Sequence, residues 1–309
     1  MFEQQPYDLH SNGLPPNDIL GELSAELADK TRRLWQIVQS MAQPIVAFSG
    51  GVDSSLVAAV LAHTHGTRAL LVTADSPSLS QRQRAIAERV ANELKLPHRW
   101  LATQEADDPL YQRNHRDRCY YCKSHLYAAL RTVAEQYPGA TIVSGTNLDD
   151  LSDYRPGLRA ADEQNVRAPL AESGFGKADV RNLAQVLQLS VHALPAAPCL
   201  ASRLAYGVDV TTDRLHRVEQ AESILWAAGF SDVRVRVLPG EIARIEVPKT
   251  EVPRLIEWLE SRSIGARDRE IDAIGFADVQ IAPEGFVSGS LNAVENATPE
   301  SPFPKLPIL

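Results

Sequence analysis

The feature that most constrains the fold is a seven-residue string (49–55, SGGVDSS) that joins an apolar segment to a helical one. Residues 44–48 (PIVAF) are predicted to form a buried strand, and residues 54–62 the helix that follows it. Glycines let the backbone approach an anion closely, and a helix N-terminus adds amide donors and the positive end of its dipole. We therefore predict a phosphate site here, called the phosphate loop below, with the candidate ligands Ser49, Gly50, Gly51, Asp53, Ser54 and Ser55. Asp53 is also a candidate Mg²⁺ ligand, because this ion prefers carboxylate and phosphate oxygens.

The phosphate loop differs from the two most familiar nucleotide-binding patterns. No lysine follows the glycines in a Gly-x-x-x-x-Gly-Lys frame, and no Gly-x-Gly-x-x-Gly pattern is present. The alternative is a plain Gly-rich turn, which is the weaker interpretation for a complete string placed between a buried strand and a helix.

Further apolar segments alternate with helical patterns over the next part of the chain. Strands are predicted at 68–73, 98–102, 140–144 and, as a fifth, near 190–193, and helices at 81–94, 124–135 and 177–187. This alternation predicts an α/β fold, in which a parallel sheet is covered by helices on both faces. Ligands of such sheets bind at the carboxyl ends of the strands, where the phosphate loop would meet residues 73–76 and 145–150. Further candidate ligands are therefore Thr73, Gly145 and Thr146 for the phosphate-bearing molecule and Asp150 for Mg²⁺. Asp149 and Asp150 have an alternative role as caps of the next helix.

The remaining segments divide the chain into four parts. Residues 1–17 are predicted to be a flexible arm, and 18–206 to form the nucleotide-binding domain, which opens with a helix capped by Asp18. A smaller α+β domain is predicted at 207–282, with helices at 212–228 and 252–261 and strands at 233–238, 243–247 and 276–281. Its expected use is oligomerisation. Residues 283–309 are predicted to be a disordered tail.

The overall charge argues against a large polyanionic partner. The 31 Lys and Arg and 39 Asp and Glu residues give a net charge of −8, and no long basic run occurs. Nucleic-acid binding depends on clustered basic residues, so we expect no nucleic acid as a partner. No apolar stretch is long enough to span a bilayer, and the first 20 residues lack the apolar core of a secretory signal. We expect a cytoplasmic protein without a membrane partner.

Three cysteines occur, with Cys119 and Cys122 in a Cys-x-x-Cys pattern and Cys199 far along the chain. This number fits thiols in a reducing compartment better than a disulfide framework. Four interpretations stay open: a [4Fe–4S] cluster with one open iron, Zn²⁺ with His115 or His125 as fourth ligand, a redox pair, or three unrelated buried residues. Basic residues that would favour thiolates lie nearby in the sequence: Arg118, Lys123 and Arg203.

The phosphate loop resembles the PP-loop of the ATP-pyrophosphatase superfamily, whose fold is of the adenine nucleotide alpha hydrolase type. That resemblance implies cleavage of ATP between its α and β phosphates, adenylation of a substrate oxygen and displacement of AMP by a nucleophile. With four further strings, the chain from about residue 43 to 277 is similar to the LarE sulfur transferases, which make the nickel-pincer nucleotide cofactor. These strings are Arg118–Lys123 (RCYYCK), Gly145–Asp150 (GTNLDD), Asp153–Gly157 (DYRPG) and Cys199–Arg203 (CLASR).

The LarE resemblance implies a small nucleotide substrate, pyridinium-3,5-biscarboxylic acid mononucleotide, whose carboxylates are adenylated and converted to thiocarboxylates with ATP and Mg²⁺. Family members with a single cysteine, at the position of Cys199, sacrifice its sulfur and keep dehydroalanine. Members with three cysteines hold a [4Fe–4S] cluster whose open iron can carry an extra sulfide. The three cysteines of this chain imply the cluster-binding type, with Cys119, Cys122 and Cys199 as catalytic cluster ligands. The resemblance does not specify the source of the sulfide. A homo-oligomer, with the hexamer as the suggested form, is also implied.

Several further residues are candidates for binding the substrate or AMP, and some of them have an alternative structural role. The candidate ligands for substrate phosphate or AMP are Ser202, Arg203, Arg234 and Arg236, since arginine binds such oxygens in bidentate fashion. Arg234 and Arg236 could equally form a solvated strand face, and Tyr120 could stack on the pyridinium ring or pack beside the thiols. Other functions considered are a tRNA-thiolating enzyme, an ATP-dependent amide synthetase and a nucleotide sensor.

Overall fold

A computed structural model describes residues 14–151, 156–195, 197–261 and 274–286. Most of the predicted arm and tail, and Asp153 of the DYRPG string, lie outside these residues. Contacts divide the chain into two units. Unit 1 contains Met1–Glu105 and Cys119–Ala197, and unit 2 contains Ala106–Arg118 and Pro198–Leu309. The predicted domain bounds remain predictions.

The helices begin and end close to most of the predicted positions. They are α1 (Asn17–Gly21), α2 (Ala25–Gln39), α3 (Val52–His65), α4 (Gln81–Glu93), α5 (Pro109–Gln112), α6 (Arg118–Ala134), α7 (Leu148–Leu151), α8 (Pro156–Glu163), α9 (Pro169–Ser173), α10 (Lys177–Val186), α11 (Thr212–Ala227) and α12 (Val252–Ser261). None of these described helices is both long and apolar enough to cross a membrane.

Unit 1 is built on a parallel sheet, as predicted. Its strands are β1 (Gln43–Ala47), β2 (Leu70–Asp75), β3 (His98–Ala102) and β4 (Ala140–Val143), in the order β3-β2-β1-β4. All three neighbouring pairs are parallel, so the carboxyl ends of the four strands lie at one edge. The central strand β1 is apolar because it is buried on both faces.

Helices cover both faces of this sheet. Adjacent residues of β1 point to opposite sides, and Val46 packs in one hydrophobic core while Ile45 packs in another. The core around Val46 receives α2, α3, α4 and α10, and the core around Ile45 receives α6 and α8. The predicted α/β architecture is therefore confirmed.

The predicted fifth strand near Ser190–Ala193 is wrong. These residues form turns, in which the amides of His192 and Leu194 donate to the carbonyls of Leu189 and Val191, both at 3.0 Å. Val191 is completely buried, so its apolar character reflects packing of a turn against the core and not a strand. Beyond β4, only an isolated parallel bridge, Val143 to Arg167, extends the described sheet.

Two predicted helix starts also differ from the structure. The N-terminal helical pattern is split into α1 and α2, and the cap of α2 is Ser24, whose hydroxyl accepts from the Leu27 amide at 3.3 Å, and not Asp18. The helix predicted from Ser124 begins at Arg118. Cys119 and Cys122 therefore lie within the first turns of α6.

Unit 2 contains a mixed sheet in the order β5-β6-β7, formed by β5 (Arg234–Leu238), β6 (Ile242–Glu246) and β7 (Asp278–Ile281). β5 and β6 form an antiparallel hairpin that turns at Gly240, which has a φ of +83°. β7 pairs with β6 in parallel. Residues of α11 and α12 close a separate core over this sheet, which confirms the predicted α+β character.

Candidate active site

The phosphate loop lies between β1 and α3, as predicted, and its helix end is open. Gly51 is the N-cap of α3, and it offers no side chain to cap the first turn. The loop folds on itself, because the Ser54 hydroxyl lies 3.1 Å from that of Ser49 and 3.2 Å from the Gly51 carbonyl. Backbone amides at an uncapped helix start are suited to bind an anion.

Two glycines allow backbone segments to pack directly on this loop. Gly50 has a φ of +73°, and a Cβ there would lie 2.8 Å from the backbone of Ala87 in α4. A Cβ on Gly145, just beyond β4, would lie 2.6 Å from the backbone nitrogen of Ser54. The predicted meeting of the loops after β1 and β4 is therefore confirmed, and each contact requires glycine.

Asp53 is held by the loop that follows β4. The Asn147 side-chain amide donates to Asp53 Oδ1 at 2.8 Å. Asn147 also caps α7, because its Oδ1 accepts from the Asp150 amide at 3.2 Å while Asp150 Oδ2 accepts from the Asn147 amide at 3.3 Å. Burial raises the pKa of Asp53 and nearby Asp150 adds to this, while the Asn147 hydrogen bond and Lys177 oppose it.

The donor set at Asp53 and Asp150 fits a hard cation. The negative charges of these two carboxylates repel each other, and a divalent cation bound between them would be attracted to both. Carboxylate oxygens are also the ligands that Mg²⁺ prefers. Asp149 has a different role, because it accepts the Lys177 amide at the start of α10. The capping alternative thus describes both aspartates, Asp149 at the start of α10 and Asp150 at the start of α7, and the Mg²⁺ role of Asp150 stays a prediction.

Thr73 and Thr146 are engaged within unit 1. The Thr73 hydroxyl lies 2.8 Å from His98 Nε2, and the His98 ring contacts Phe48 and Trp100 edge-on. Burial lowers the pKa of His98, which favours the neutral ring. The Thr146 hydroxyl lies 3.0 Å from that of Ser144. Their predicted contact with ATP remains a prediction.

The thiols on α6 lie at its accessible end. Cys119 is exposed, Cys122 is partly exposed, and neither forms a disulfide. Tyr120 packs against α8, since its hydroxyl donates to Glu163 at 2.8 Å and the Arg159 guanidinium lies 3.9 Å from its ring centre. These contacts favour packing over a role in stacking on the substrate.

Cys199 opens a tight turn in unit 2. The Ser202 amide and hydroxyl both donate to the Cys199 carbonyl, at 2.9 and 2.6 Å. Arg203 pairs with buried Glu222 at 2.9 Å and also donates to the Cys199 carbonyl at 3.3 Å. Cys199 itself is free and partly exposed.

The predicted phosphate-binding arginines of unit 2 belong to an ionic network. Arg236 is buried and pairs with Glu246 at 3.0 Å, while its Nη1 donates to the Ser202 carbonyl at 2.8 Å. Burial lowers the pKa of Arg236, and Glu246 opposes this. Arg234 pairs with Asp232 at 2.9 Å. The proposed solvated face is wrong for Arg236, and the phosphate role of these arginines remains a prediction.

The described residues contain no group of three or more His, Cys, Asp or Glu side chains that could hold a metal ion. The [4Fe–4S] assignment therefore depends on the chemistry of three cysteines that form no disulfide, which fits a cluster with one open iron. Of the DYRPG string, Pro156 and Gly157 are described, and a Cβ on Gly157 would lie 2.9 Å from Lys123 Cγ.

Sequence reasoning missed residues that act through tertiary contacts. Asn147, Asn114 and Glu222 are completely buried, and Glu246 is buried. Asn147 belongs to the string Gly145–Asp150, in which only Asp150, three residues further on, indicated a functional role. No local pattern marks the other residues, because their partners are distant in sequence.

The parallel sheet, the open helix end and the glycine contacts are those expected of an ATP-pyrophosphatase enzyme of the PP-loop class. In agreement, the asparagine synthase family pattern matches residues 36–121. The chain is 33% identical over 269 residues to pyridinium-3,5-bisthiocarboxylic acid mononucleotide synthase of Lactiplantibacillus plantarum, covering 87% of this chain and 95% of that protein. It is 38% identical over 268 residues to an uncharacterized protein of Synechocystis sp., covering 87% and 98%. An uncharacterized Methanocaldococcus jannaschii protein is 31% identical over 192 residues, covering 62% and 73%.

The chain belongs to the LarE family, and it is an ATP-dependent sulfurtransferase.

Proposed function

We propose that the protein adenylates the carboxylates of pyridinium-3,5-biscarboxylic acid mononucleotide and converts them to thiocarboxylates for nickel-pincer nucleotide synthesis. The name of the Lactiplantibacillus plantarum relative, which describes a bisthiocarboxylic product, supports this choice of substrate. The observation that carries the ATP step is the open N-terminus of α3, with Gly145 pressed against the Ser54 amide.

The first half-reaction uses the residues of unit 1. A substrate carboxylate oxygen bonds to the α-phosphorus of ATP, and the bond from that phosphorus to the bridging oxygen breaks to release pyrophosphate. The amides of the phosphate loop would bind the leaving pyrophosphate, whose charge they stabilise without reorganisation. Asp53 and Asp150 would hold Mg²⁺, which screens the phosphate charge.

The second half-reaction needs a sulfur nucleophile. Sulfide bonds to the acyl carbon of the adenylate, and the carbon–oxygen bond to AMP breaks, so that each thiocarboxylate consumes one ATP and one sulfide. A [4Fe–4S] cluster on Cys119, Cys122 and Cys199 would supply this sulfide from its open iron. Ser202, Arg203, Arg234 and Arg236 are the proposed ligands of substrate phosphate or AMP, since guanidinium groups bind such oxygens.

The test is anaerobic turnover with ATP and the mononucleotide, followed by mass spectrometry of product and protein. We expect pyrophosphate release, more than one sulfur transferred per chain, an intact Cys199 and about four irons per chain. The variant Cys199→Ser should release pyrophosphate and form the adenylate without thiocarboxylate. Absence of substrate-dependent pyrophosphate release would refute the function.

Two outcomes would correct the proposal in part. A colourless protein that transfers one sulfur and loses it from Cys199 would replace the cluster route by the sacrificial one. Pyrophosphate release that depends on tRNA would favour the tRNA-thiolating alternative. The proposed homo-oligomer, a hexamer by the family resemblance, is checked by sedimentation under the same conditions.

A further inference from the structure

Within unit 2, the segment before α6 is hydrogen-bonded to the segment that follows Cys199. Asn114 is completely buried and has a left-handed φ of 51°. Its side-chain amide donates to three carbonyls, those of Ala205 at 2.8 Å, Val208 at 2.9 Å and Leu204 at 3.2 Å. Its own carbonyl accepts from the Gly207 amide at 3.2 Å. One asparagine thus fixes the course of four residues in the second segment.

Arg118 extends this connection to the Cys199 turn. Its Nη1 donates to the Ala201 carbonyl at 2.7 Å and to Asn114 Oδ1. The arginine is 7% exposed, so its charge is desolvated and these hydrogen bonds are needed to compensate. Asn114 therefore orients the guanidinium, and the guanidinium holds the backbone two residues after Cys199.

The same turn is fixed on its other side. Arg203 is paired with Glu222, and the Ser202 carbonyl accepts from Arg236. The turn is consequently bonded through Ala201, Ser202 and Arg203, whereas the thiol of Cys199 remains partly exposed. A reactive group on a backbone held from both sides has a restricted position, which is what a step with strict geometry requires.

We infer that Asn114 and Arg118 are positioning residues for Cys199, which hold its turn in the one conformation that supports sulfur transfer. Arg118 contacts the turn directly through the Ala201 carbonyl, and Asn114 acts through Arg118 and the segment that follows the turn. This inference rests on the proposed function, because it assigns Cys199 to the second half-reaction. A displacement of about 1 Å at a reacting group can cost on the order of 100-fold in rate.

The main variant is Asn114→Gly. Glycine adopts the left-handed conformation without strain and keeps the backbone carbonyl that binds Gly207, so only the side-chain bonds are lost. The matched control is Asn165→Gly in unit 1, which has a φ of 53° but is exposed. Each variant is compared with the wild type for pyrophosphate release, thiocarboxylate formed per pyrophosphate, and the rate of Cys199 alkylation followed by mass spectrometry.

For Asn114→Gly we expect retained pyrophosphate release, thiocarboxylate per pyrophosphate lowered by about 10- to 100-fold, and a changed rate of Cys199 alkylation. The control should match the wild type in all three. A ratio and an alkylation rate equal to the wild type would overturn the inference. If the wild type itself released no pyrophosphate with ATP and the mononucleotide, the proposed function would be refuted instead.

Arg118 provides a second test that does not depend on the fold of the first variant. Arg118→Lys keeps the charge and a donor for the Ala201 carbonyl, whereas Arg118→Met keeps only the aliphatic stem. The lysine variant should recover part of the thiocarboxylate yield that the methionine variant loses. Equal yields in both variants and the wild type would contradict a positioning role, even if their unfolding midpoints differ.

Discussion

The substitution Gly145→Ala tests whether close backbone packing builds the phosphate loop. An added Cβ would lie 2.6 Å from the Ser54 nitrogen and 2.9 Å from both Asp53 C and Ser54 Cα. Comfortable contacts between such atoms need about 3.5 Å, so the exit of β4 and the start of α3 must separate by roughly 0.5–1 Å. All three atoms are backbone atoms of the helix start, and no side-chain rotation can relieve the clash.

Two consequences of this displacement can be measured separately. Overpacking of this kind costs about 1–3 kcal/mol, so urea unfolding should give a correspondingly lower free energy of unfolding. A shift of about 1 Å in the amides proposed to bind pyrophosphate should lower substrate-dependent pyrophosphate release by about 100-fold.

The control is Gly21→Ala at the end of α1, where an added Cβ meets no atom within 4 Å. Its stability should stay within about 0.5 kcal/mol of the wild type, with unchanged pyrophosphate release. If Gly145→Ala released pyrophosphate as fast as Gly21→Ala, the loop after β4 would not position the helix amides, and the reasoning would be wrong.

Three further substitutions probe other contacts. Asn147→Leu removes the hydrogen bond to Asp53, and since such bonds to charged groups contribute about 1.5–3 kcal/mol, we expect pyrophosphate release to fall at least 10-fold and to need more Mg²⁺, measured by metal titration. Glu222→Gln leaves the buried Arg203 charge uncompensated and should lower the free energy of unfolding in urea by about 3–5 kcal/mol. Arg214 and Arg217 lower the pKa of Glu241 in the folded state. Their ion pairs with Glu241 therefore stabilise the fold above the unfolded-state pKa of 4.5, and this stabilisation is lost as the pH falls through the folded-state pKa. Glu241→Gln should therefore cost at most about 1 kcal/mol at pH 7, and a cost that grows below pH 4.5 in urea unfolding would contradict this sign.

The local parts of the fold and site could be predicted from the sequence. The phosphate loop was recognisable because strand, glycines and helix are consecutive, so that its geometry depends on short-range rules. Parallel pairing then fixed where the chain after β4 must lie, and Gly145 does contact Ser54. The order of strands and helices along the chain was therefore sufficient to predict that the loops after β1 and β4 meet.

Burial could not be predicted where short patterns are ambiguous. Val191 belongs to an apolar segment that resembles a strand, but the segment forms turns that close against the core. Arg236 occupies an alternating polar position, but Glu246 on the neighbouring strand compensates its charge and allows burial. In both cases the deciding partner comes from another part of the chain, which periodicity does not reveal.

The two asparagines show why charge-based reasoning overlooked the residues that organise the site. An asparagine side chain carries both a donor and an acceptor without a net charge, so it can be fully buried where a charged residue would need a counter-ion. Asn147 uses this property to donate to an aspartate and cap a helix, while Asn114 donates to three carbonyls and accepts from an arginine. Each therefore orients a charged group, Asp53 in one unit and Arg118 in the other, without changing the electrostatic balance of its surroundings. If this is their role, Asn147→Asp should impair pyrophosphate release more than Asn147→Gln, because an added carboxylate beside Asp53 would repel it whereas a longer amide still offers a donor.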